Sequence, residues 1–320
     1  MTVPGYLGRL LREQVTQVDE RVRGVGGYRH DSERIRTAVA HVGPLCRQLG
    51  LRRFVRTLNP GTGKPQVLLV FCDPADRPVV LKVYGHRRPN EAAVQRLWAR
   101  RGVTAATDVL ESGEDPVSWL VMPLVGGTPP TAQRGPSLTE RLARIMRRAH
   151  RVHDPGVGEY RGLYEGIESH LRTVLDSARA HGYQVRPDVP ELAREWMAQG
   201  TPTFVHGDLA PANLLCDDRG RLAFLDTCGY TGPAEFDAAR WCARVGGPEM
   251  AVRALERWLE GEPGLDRPLA RRLLGIEMFF EAGVREIRKD ERGLPWADRD
   301  PGTLARLALA GQLVDRARTA

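Results

Sequence analysis

The chain has 320 residues, of which 42% are hydrophobic, and this composition fits a globular protein large enough for two lobes with separate cores. Its net charge of +7 lies in the first 125 residues, which hold 19 Lys and Arg against 12 Asp and Glu. Because this surplus is diffuse and is not interleaved with aromatic residues, we expect no nucleic-acid binding. A lobe that handles a polyanionic ligand and a merely solvated basic surface both remain open as explanations.

The cysteines and the hydropathy pattern indicate the cellular compartment in which we expect the protein. The five cysteines are odd in number, scattered and without CxxC spacing, which favours neither a disulfide framework nor zinc and predicts a reducing, cytoplasmic location. No apolar run approaches 18 residues, and the segment 1–8 lacks a basic head followed by an apolar run. We therefore expect no signal peptide and no membrane span.

Residues 1–50 are predicted to form a helical extension. Apolar residues recur at steps of three and four from Leu7 to Val18 and again from Ile35 to Leu49, and glycines at 24, 26 and 27 separate the two sets. We expect this extension to pack against the first lobe.

The period changes to that of strands between Phe54 and Tyr84. The first turn contains Gly61 and Gly63, where backbone N–H groups are free to approach phosphate oxygens because side chains are absent. A plain hairpin turn is the alternative.

Lys82 is one of only three lysines in the chain and lies near the end of the third predicted strand. A lysine that points inward among β-branched residues is costly to bury unless it is paired. Glu91 opens the next helical pattern and is the expected partner. The alternative is an edge-strand lysine in water, with Glu91 favoured in a first helical turn by the helix dipole.

A further apolar run, Trp119 to Leu124, ends at a glycine- and proline-rich stretch from Gly126 to Pro136. We place the lobe boundary there, which gives a sheet lobe at 51–125 and a helical lobe at 126–320.

The most informative stretch is FVHGDLAPANLLCDDRGRLAFLDTCGYTGPAEFD, from Phe204 to Asp237. Asp208, Asn213 and Asp226 supply a carboxylate, an amide and a second carboxylate at the end of an apolar strand. This set offers one candidate base and two oxygen ligands for Mg²⁺. The turn after Cys216 predicts a hairpin that returns Asp226 to the side of Asn213, although Asp and Asn also form turns with no other role.

The motif from His206 to Asn213, followed by Asp226 and Asp237, resembles the aminoglycoside phosphotransferase and choline kinase-like family of small-molecule kinases. Two positions depart from the family pattern, Ala210 where His is common and Thr227 where Trp or Phe is common. The resemblance implies an α+β, bilobal protein-kinase-like fold with an antiparallel sheet lobe and a larger helical lobe. It also implies that Asp237 is a buried acid that braces the catalytic loop.

The resemblance also implies a mechanism and site residues. Asp208 would orient and deprotonate a substrate hydroxyl, Asn213 and Asp226 would bind Mg²⁺, and Lys82 with Glu91 would hold the phosphates of ATP or GTP. Backbone around Met122 to Leu124 would contact the nucleotide base, and the turn with Gly61 and Gly63 would cover its phosphates.

The acceptor is predicted to be a small hydroxylated molecule. The resemblance favours an antibiotic, of aminoglycoside, nucleoside or macrolide type, and a metabolic kinase of an amino alcohol or a sugar is the alternative. A nucleotide-binding pseudokinase is a third possibility. Glu277 and Glu281, beside Phe279 and Phe280, are candidate acids for an amine-bearing or ring-bearing substrate. The alternative there is a phenylalanine core with the acids on a solvated face.

Overall fold

The structure is a computed structural model and describes residues 5–24, 30–58, 64–88, 90–130, 135–152, 154, 160–291 and 299–319. The chain forms two compact units, each described below by itself. The first comprises residues 1–92 and 107–125, and the second comprises 93–106 and 126–320. The sequence placed all of 51–125 in one lobe, whereas in the structure the segment 93–106 packs with the second unit.

The first unit is built on a five-stranded antiparallel sheet with the strand order β1-β2-β3-β5-β4. Its strands are β1 (Phe54–Thr57), β2 (Gln66–Cys72), β3 (Pro78–Tyr84), β4 (Glu111–Gly113) and β5 (Trp119–Pro123). The three central strands are rich in Val and Leu, which suits strands that are buried on both faces. The sequence predicted four of the five strands and missed the short edge strand β4.

The N-terminal extension covers one face of this sheet. Helices α1 (Gly5–Gly24) and α2 (Asp31–Gln48) contribute Leu7, Val18 and Ile35 to a core that also contains the side chains of alternate residues of β2 and β3. Alternate residues share a face because side chains point to opposite sides along a strand. For the described helices α1 and α2, the expected packing against the first lobe is therefore confirmed.

Lys82 lies on the other face of β3. Its neighbours Leu81 and Val83 belong to the core under the N-terminal helices, whereas Val80 and Tyr84 belong to a second apolar cluster. Helix α3 (Glu91–Arg100) begins in the first unit and continues into the second.

The second unit is mainly helical. Its helices are α4 (Gly135–His150), α5 (Leu163–Ala180), α6 (Val189–Met197), α7 (Glu235–Arg244), α8 (Pro248–Gly261), α9 (Arg267–Glu291) and α10 (Pro301–Thr319). The long helix α9 packs against α5, α7 and α10. Residues 235–243 of α7 are all buried, so its polar side chains lie inside the protein.

Two small antiparallel sheets carry the loop with Asp208. Strand β6 (Thr203–Val205) pairs with β9 (Tyr230–Gly232), and β7 (Leu214–Cys216) pairs with β8 (Leu222–Phe224). The predicted hairpin is thus present, and the Leu225 N–H donates to the Asn213 carbonyl at 2.9 Å. Within the described ranges, no helix combines the length and the apolar character that a membrane crossing requires.

Candidate active site

The backbone before Asp208 is fixed by a buried acid. Asp237, on α7, accepts the backbone N–H of His206 at 2.7 Å and that of Gly207 at 3.0 Å. Gly207 has φ +78°, and a Cβ there would lie 3.0 Å from the Cβ of Cys228, so both conformation and space require glycine. The bracing role expected for Asp237 is what these contacts show.

Asp237 is itself contacted by a buried histidine at the end of α4. His150 Nε2 lies 3.2 Å from Asp237 Oδ2, and its Nδ1 lies 2.8 Å from Glu262 Oε1. Burial lowers the pKa of His150, but the carboxylates of Glu262 and Asp237 outweigh it and raise the pKa to about 10. His150 is therefore a cation that joins two buried acids behind the loop.

The carboxylate of Asp208 has a fixed orientation. Its Oδ2 accepts a hydrogen bond from Asn213 Nδ2 at 2.8 Å, and its Oδ1 accepts one from Arg244 Nη1 at 2.7 Å. The Asp208 side chain is still 38% exposed, so its oxygens remain accessible to a ligand. The loop thus presents an oriented carboxylate at its surface.

Asp208 is ionised at neutral pH. Burial acts to raise its pKa, but Arg244 and Arg240 outweigh burial and lower the pKa to about 2. A carboxylate with so low a pKa is a weak base, and it is better suited to accept a hydrogen bond from a hydroxyl than to remove its proton early.

The amide of Asn213 has the orientation that a metal ligand needs. Its Nδ2 donates to both the backbone carbonyl and the carboxylate of Asp208, and no described residue donates a hydrogen bond to its Oδ1. Asp226 follows β8 with φ +53°, a left-handed conformation that is uncommon outside glycine and that clusters at functional sites.

These two residues fit the demands of Mg²⁺. The ion typically takes one or two protein carboxylates and completes its shell with water and phosphate oxygens. No group of three or more His, Cys, Asp or Glu side chains forms a metal cluster in the described part of the chain. Asn213 and Asp226 together offer the small number of oxygen ligands that this ion uses.

Thr227, where the sequence departs from the family pattern, is buried and has a specific partner. Gln95 Nε2 donates to Thr227 Oγ1 at 2.8 Å. The contact ties α3 to the residue that follows Asp226. The sequence gave no signal for it.

In the first unit, Lys82 is paired as expected. Its Nζ lies 2.9 Å from Glu91 Oε1, and the two side chains are 1% and 2% exposed. Glu91 also accepts a hydrogen bond from the Tyr84 hydroxyl, and Arg88 Nε lies 3.4 Å from Glu91 Oε2. The alternative of a lysine pointing into water is wrong.

The remaining predicted nucleotide contacts are Met122, Leu124 and the two glycines of the first turn. Met122 lies in β5 opposite Val80, and the Leu124 N–H donates to the Pro78 carbonyl at 3.1 Å. A base contact from Leu124 would therefore use its carbonyl oxygen. Gly61 and Gly63 lie outside the described residues.

Glu277 and Glu281, the candidate substrate acids, lie one turn apart on α9 and are both buried. Glu277 lies 3.0 Å from Arg240 Nη1, and Glu281 Oε1 accepts from Arg244 Nε at 2.7 Å. They are therefore not on a solvated face, whereas Phe279 and Phe280 are core residues as the alternative held.

Comparison with known proteins decides the family. Residues 59–271 match the model of the phosphotransferase enzyme family APH. The chain belongs to this family. The match includes Lys82, the loop with Asp208 and Asn213, and the helix with Arg240 and Arg244.

Solved structures show the fold of this phosphotransferase. It is similar to a putative aminoglycoside phosphotransferase from Ralstonia eutropha, with a TM-score of 0.55 and 16% identity, covering 88% of this chain and 98% of that one. Choline kinase LicA from Streptococcus pneumoniae gives a TM-score of 0.56 and 13% identity, covering 87% and 98%. A putative fructosamine-3-kinase from Thermobifida fusca gives 0.51 and 18%, covering 86% and 96%. A search of curated proteins finds no match.

These similarities confirm the α+β, protein-kinase-like fold and the resemblance stated from the sequence. Two residues that bear on Asp208 were missed by sequence reasoning, Arg240 and Arg244. A signal for them existed, because Arg240 and Arg244 are spaced by four residues on one helix and Glu277 and Glu281 by four on another. Residues four apart lie on the same face of a helix. Two helices that carry opposite charges at this spacing can therefore pair their charged faces.

Proposed function

We propose that this phosphotransferase moves the γ-phosphoryl group of ATP or GTP to a hydroxyl of a small molecule. A bond forms between the acceptor oxygen and the γ-phosphorus, the bond to the β–γ bridging oxygen breaks, and a nucleoside diphosphate leaves. The acceptor proton passes to Asp208 and then to solvent. Catalysis is mainly positioning and charge stabilisation, because this transfer needs little covalent chemistry from the protein.

The observation that carries the proposal is the carboxylate of Asp208, ionised, held by Asn213 and Arg244, and still accessible to a ligand. An oriented anion beside a hydroxyl fixes the attacking oxygen by accepting its hydrogen bond. In this role Asp208 acts on the hydroxyl throughout the reaction and receives the proton late, which agrees with its low pKa.

Asn213 Oδ1 and Asp226 are the residues that would hold Mg²⁺. When bound, the ion neutralises phosphate charge. Lys82, oriented by Glu91, would contact the α- and β-phosphates. Met122 and Leu124 would contact the base through their backbone, and Gly61 and Gly63 would cover the phosphates.

An antibiotic is the leading acceptor class, since the family resemblance favours it, and the solved structures include a putative aminoglycoside phosphotransferase. A metabolic kinase is the second candidate, favoured by the similarity to a choline kinase and to a putative fructosamine-3-kinase. The joint presence of Lys82, Asp208, Asn213 and Asp226 argues against a pseudokinase. None of the five cysteines, which all lie in described parts of the chain, forms a disulfide, and this fits a cytoplasmic enzyme.

The test is acceptor-dependent consumption of Mg·ATP and Mg·GTP across a panel of hydroxylated antibiotics, amino alcohols and sugars, with ³¹P NMR to identify the product. The variant D208N should lose turnover by about 10³-fold or more while nucleotide affinity is unchanged. D218N is the matched control, because Asp218 is exposed on the same hairpin. A D208N variant as active as the D218N variant would remove the assignment.

A further inference from the structure

Two arginines of α7 and two glutamates of α9 form a paired array next to Asp208. Arg240 lies 3.0 Å from Glu277, and Arg244 lies 2.7 Å from Glu281. Both guanidinium groups also lie over the ring of Phe280, at 4.4 and 5.9 Å from its centroid. The array is buried, with Arg244 the most exposed member at 17%.

The array leaves little free negative charge beside Asp208. Burial raises the pKa of Glu277 to about 7, against the opposing effect of Arg240 and Arg244, so this acid is partly protonated at neutral pH. The two arginines compensate the remaining charges of Glu281 and Asp208. A polycationic acceptor requires uncompensated acids, because binding a cation in a partly buried site removes its hydration.

Arg244 is fixed at two points. Its Nε donates to Glu281 and its Nη1 donates to Asp208 Oδ1, both at 2.7 Å. These bonds set the plane of the guanidinium, and Nη2 has no hydrogen-bond partner among the described residues. A donor next to the carboxylate that receives the acceptor hydroxyl suits a second oxygen on the same molecule.

From this geometry we propose that Arg244 positions Asp208 and selects an acceptor that carries a second oxygen beside the reacting hydroxyl and no ammonium group near it, such as a neutral or anionic polyol, sugar or nucleoside. The assignment rests on the proposed function, since Asp208 must be the residue that receives the hydroxyl. It narrows the acceptor class and gives Glu277 and Glu281 a structural role in place of direct substrate binding.

The first test measures binding of a polycationic probe without turnover. Kanamycin A is titrated calorimetrically into the full chain in the presence of Mg·ADP. The unmodified protein should bind it with a Kd weaker than about 1 mM. The variant R244Q removes one of the two positive charges that compensate Glu281 and Asp208 and should bind it about tenfold more tightly.

R271Q is the matched control for this titration, because Arg271 is 52% exposed on α9 and pairs only with Glu256 among the described residues. It should behave as the unmodified protein does. A micromolar Kd for kanamycin A that R244Q does not improve would overturn the charge assignment.

The second test measures how much the positioning of Asp208 by Arg244 contributes to turnover. With the acceptor that the panel identifies, R244Q should lower kcat by about 10²-fold and leave KM for Mg·ATP unchanged, because nucleotide contacts are not altered. R244K keeps the charge but loses the two-point orientation, so it should restore only part of the loss. An unchanged kcat in R244Q would remove the positioning role.

Failure of the proposed function and failure of the inference about Arg244 would give different results. If no acceptor in the panel is phosphorylated, the proposed function fails, and the kanamycin titration still decides the charge assignment. If kanamycin A is itself phosphorylated efficiently, the proposed function stands and the inference about Arg244 is overturned.

Discussion

The first and the second unit both bury charged side chains, but the buried charges of the two units differ in their number of partners. Lys82 and Glu91 are nine residues apart, and Glu91 has two further partners, the Tyr84 hydroxyl and Arg88. Arg240 and Glu277 are 37 residues apart in sequence, and their groups meet at 3.0 Å without hydrogen-bond geometry. A buried charge with several partners tolerates the loss of one, whereas a buried charge with one partner does not.

We expect this difference to separate substitutions that mainly lower activity from substitutions that mainly lower stability. In the proposed function Lys82 contacts a ligand, and Glu91 has two further partners, so the loss of Lys82 should mainly affect activity. The pair at Arg240 joins two helices in the core, so its loss should mainly affect folding. Four predictions test this separation, in order of decreasing effect.

The largest effect is expected for K82M. Removal of the cation should lower kcat/KM by about 10³-fold, since the proposed contact with the nucleotide phosphates would be lost. The melting temperature should stay close to that of the unmodified protein, because Glu91 keeps Tyr84 and Arg88. K64M, at an exposed lysine, is the control. A large loss of stability in K82M, with activity retained, would break the comparison.

The next effect is expected for R240M. Glu277 would be left buried opposite a neutral side chain, and above pH 8, where its carboxyl is mainly ionised in the unmodified protein, the free energy of unfolding should fall by about 3 kcal/mol. Urea denaturation measures it. R271M, at an exposed arginine of α9, should change stability by less than about 0.5 kcal/mol. Equal stabilities for the two variants would show that the buried pair contributes nothing.

His150 predicts a pH dependence. Its pKa is raised from 6.5 to about 10 in the folded protein, so its stabilising contribution is complete below pH 6.5 and is lost as the pH rises towards 10. H150Q should remove about 2 kcal/mol at pH 6 and progressively less as the pH rises above 6.5. H41Q is the control, because His41 bonds a backbone carbonyl. A constant difference between pH 6 and 9.5 would contradict the assignment.

The smallest effect is expected at Thr227. T227V leaves the Gln95 amide without its hydroxyl partner in a buried place and should cost about 1 kcal/mol. T227S keeps the hydroxyl and should restore most of it. Because Thr227 follows Asp226, the affinity for Mn²⁺, measured by electron paramagnetic resonance with the nucleotide present, should fall in T227V and not in T227S.

Much of the fold was predictable because its signals are local. The helical period of residues 4–50, the β-rich runs around Lys82 and the loop from His206 to Asp226 depend on short stretches of chain. The edge strand β4 was missed because three residues carry too little pattern. The hairpin after Asn213 was predicted, since turn residues separate two apolar runs.

The candidate site was predictable only in part. The sequence identified Asp208, Asn213 and Lys82, because short local patterns are enough to recognise them. It did not give their charge states. The pKa of Asp208 depends on Arg244, 36 residues later, and that of Glu277 depends on how α9 packs against α7. Electrostatic effects act through space, so they follow packing.

By itself the sequence determined which elements form and which residue types enter the loop at Asp208, because backbone preferences and hydrophobic periods operate over a few residues. Only the tertiary structure decided that Glu277 and Glu281 pair with arginines, that Thr227 accepts a hydrogen bond from Gln95, and that His150 contacts Asp237. Each of these contacts joins segments distant in the chain, and the cost of burying a charge or an amide is set by the partner that folding brings to it.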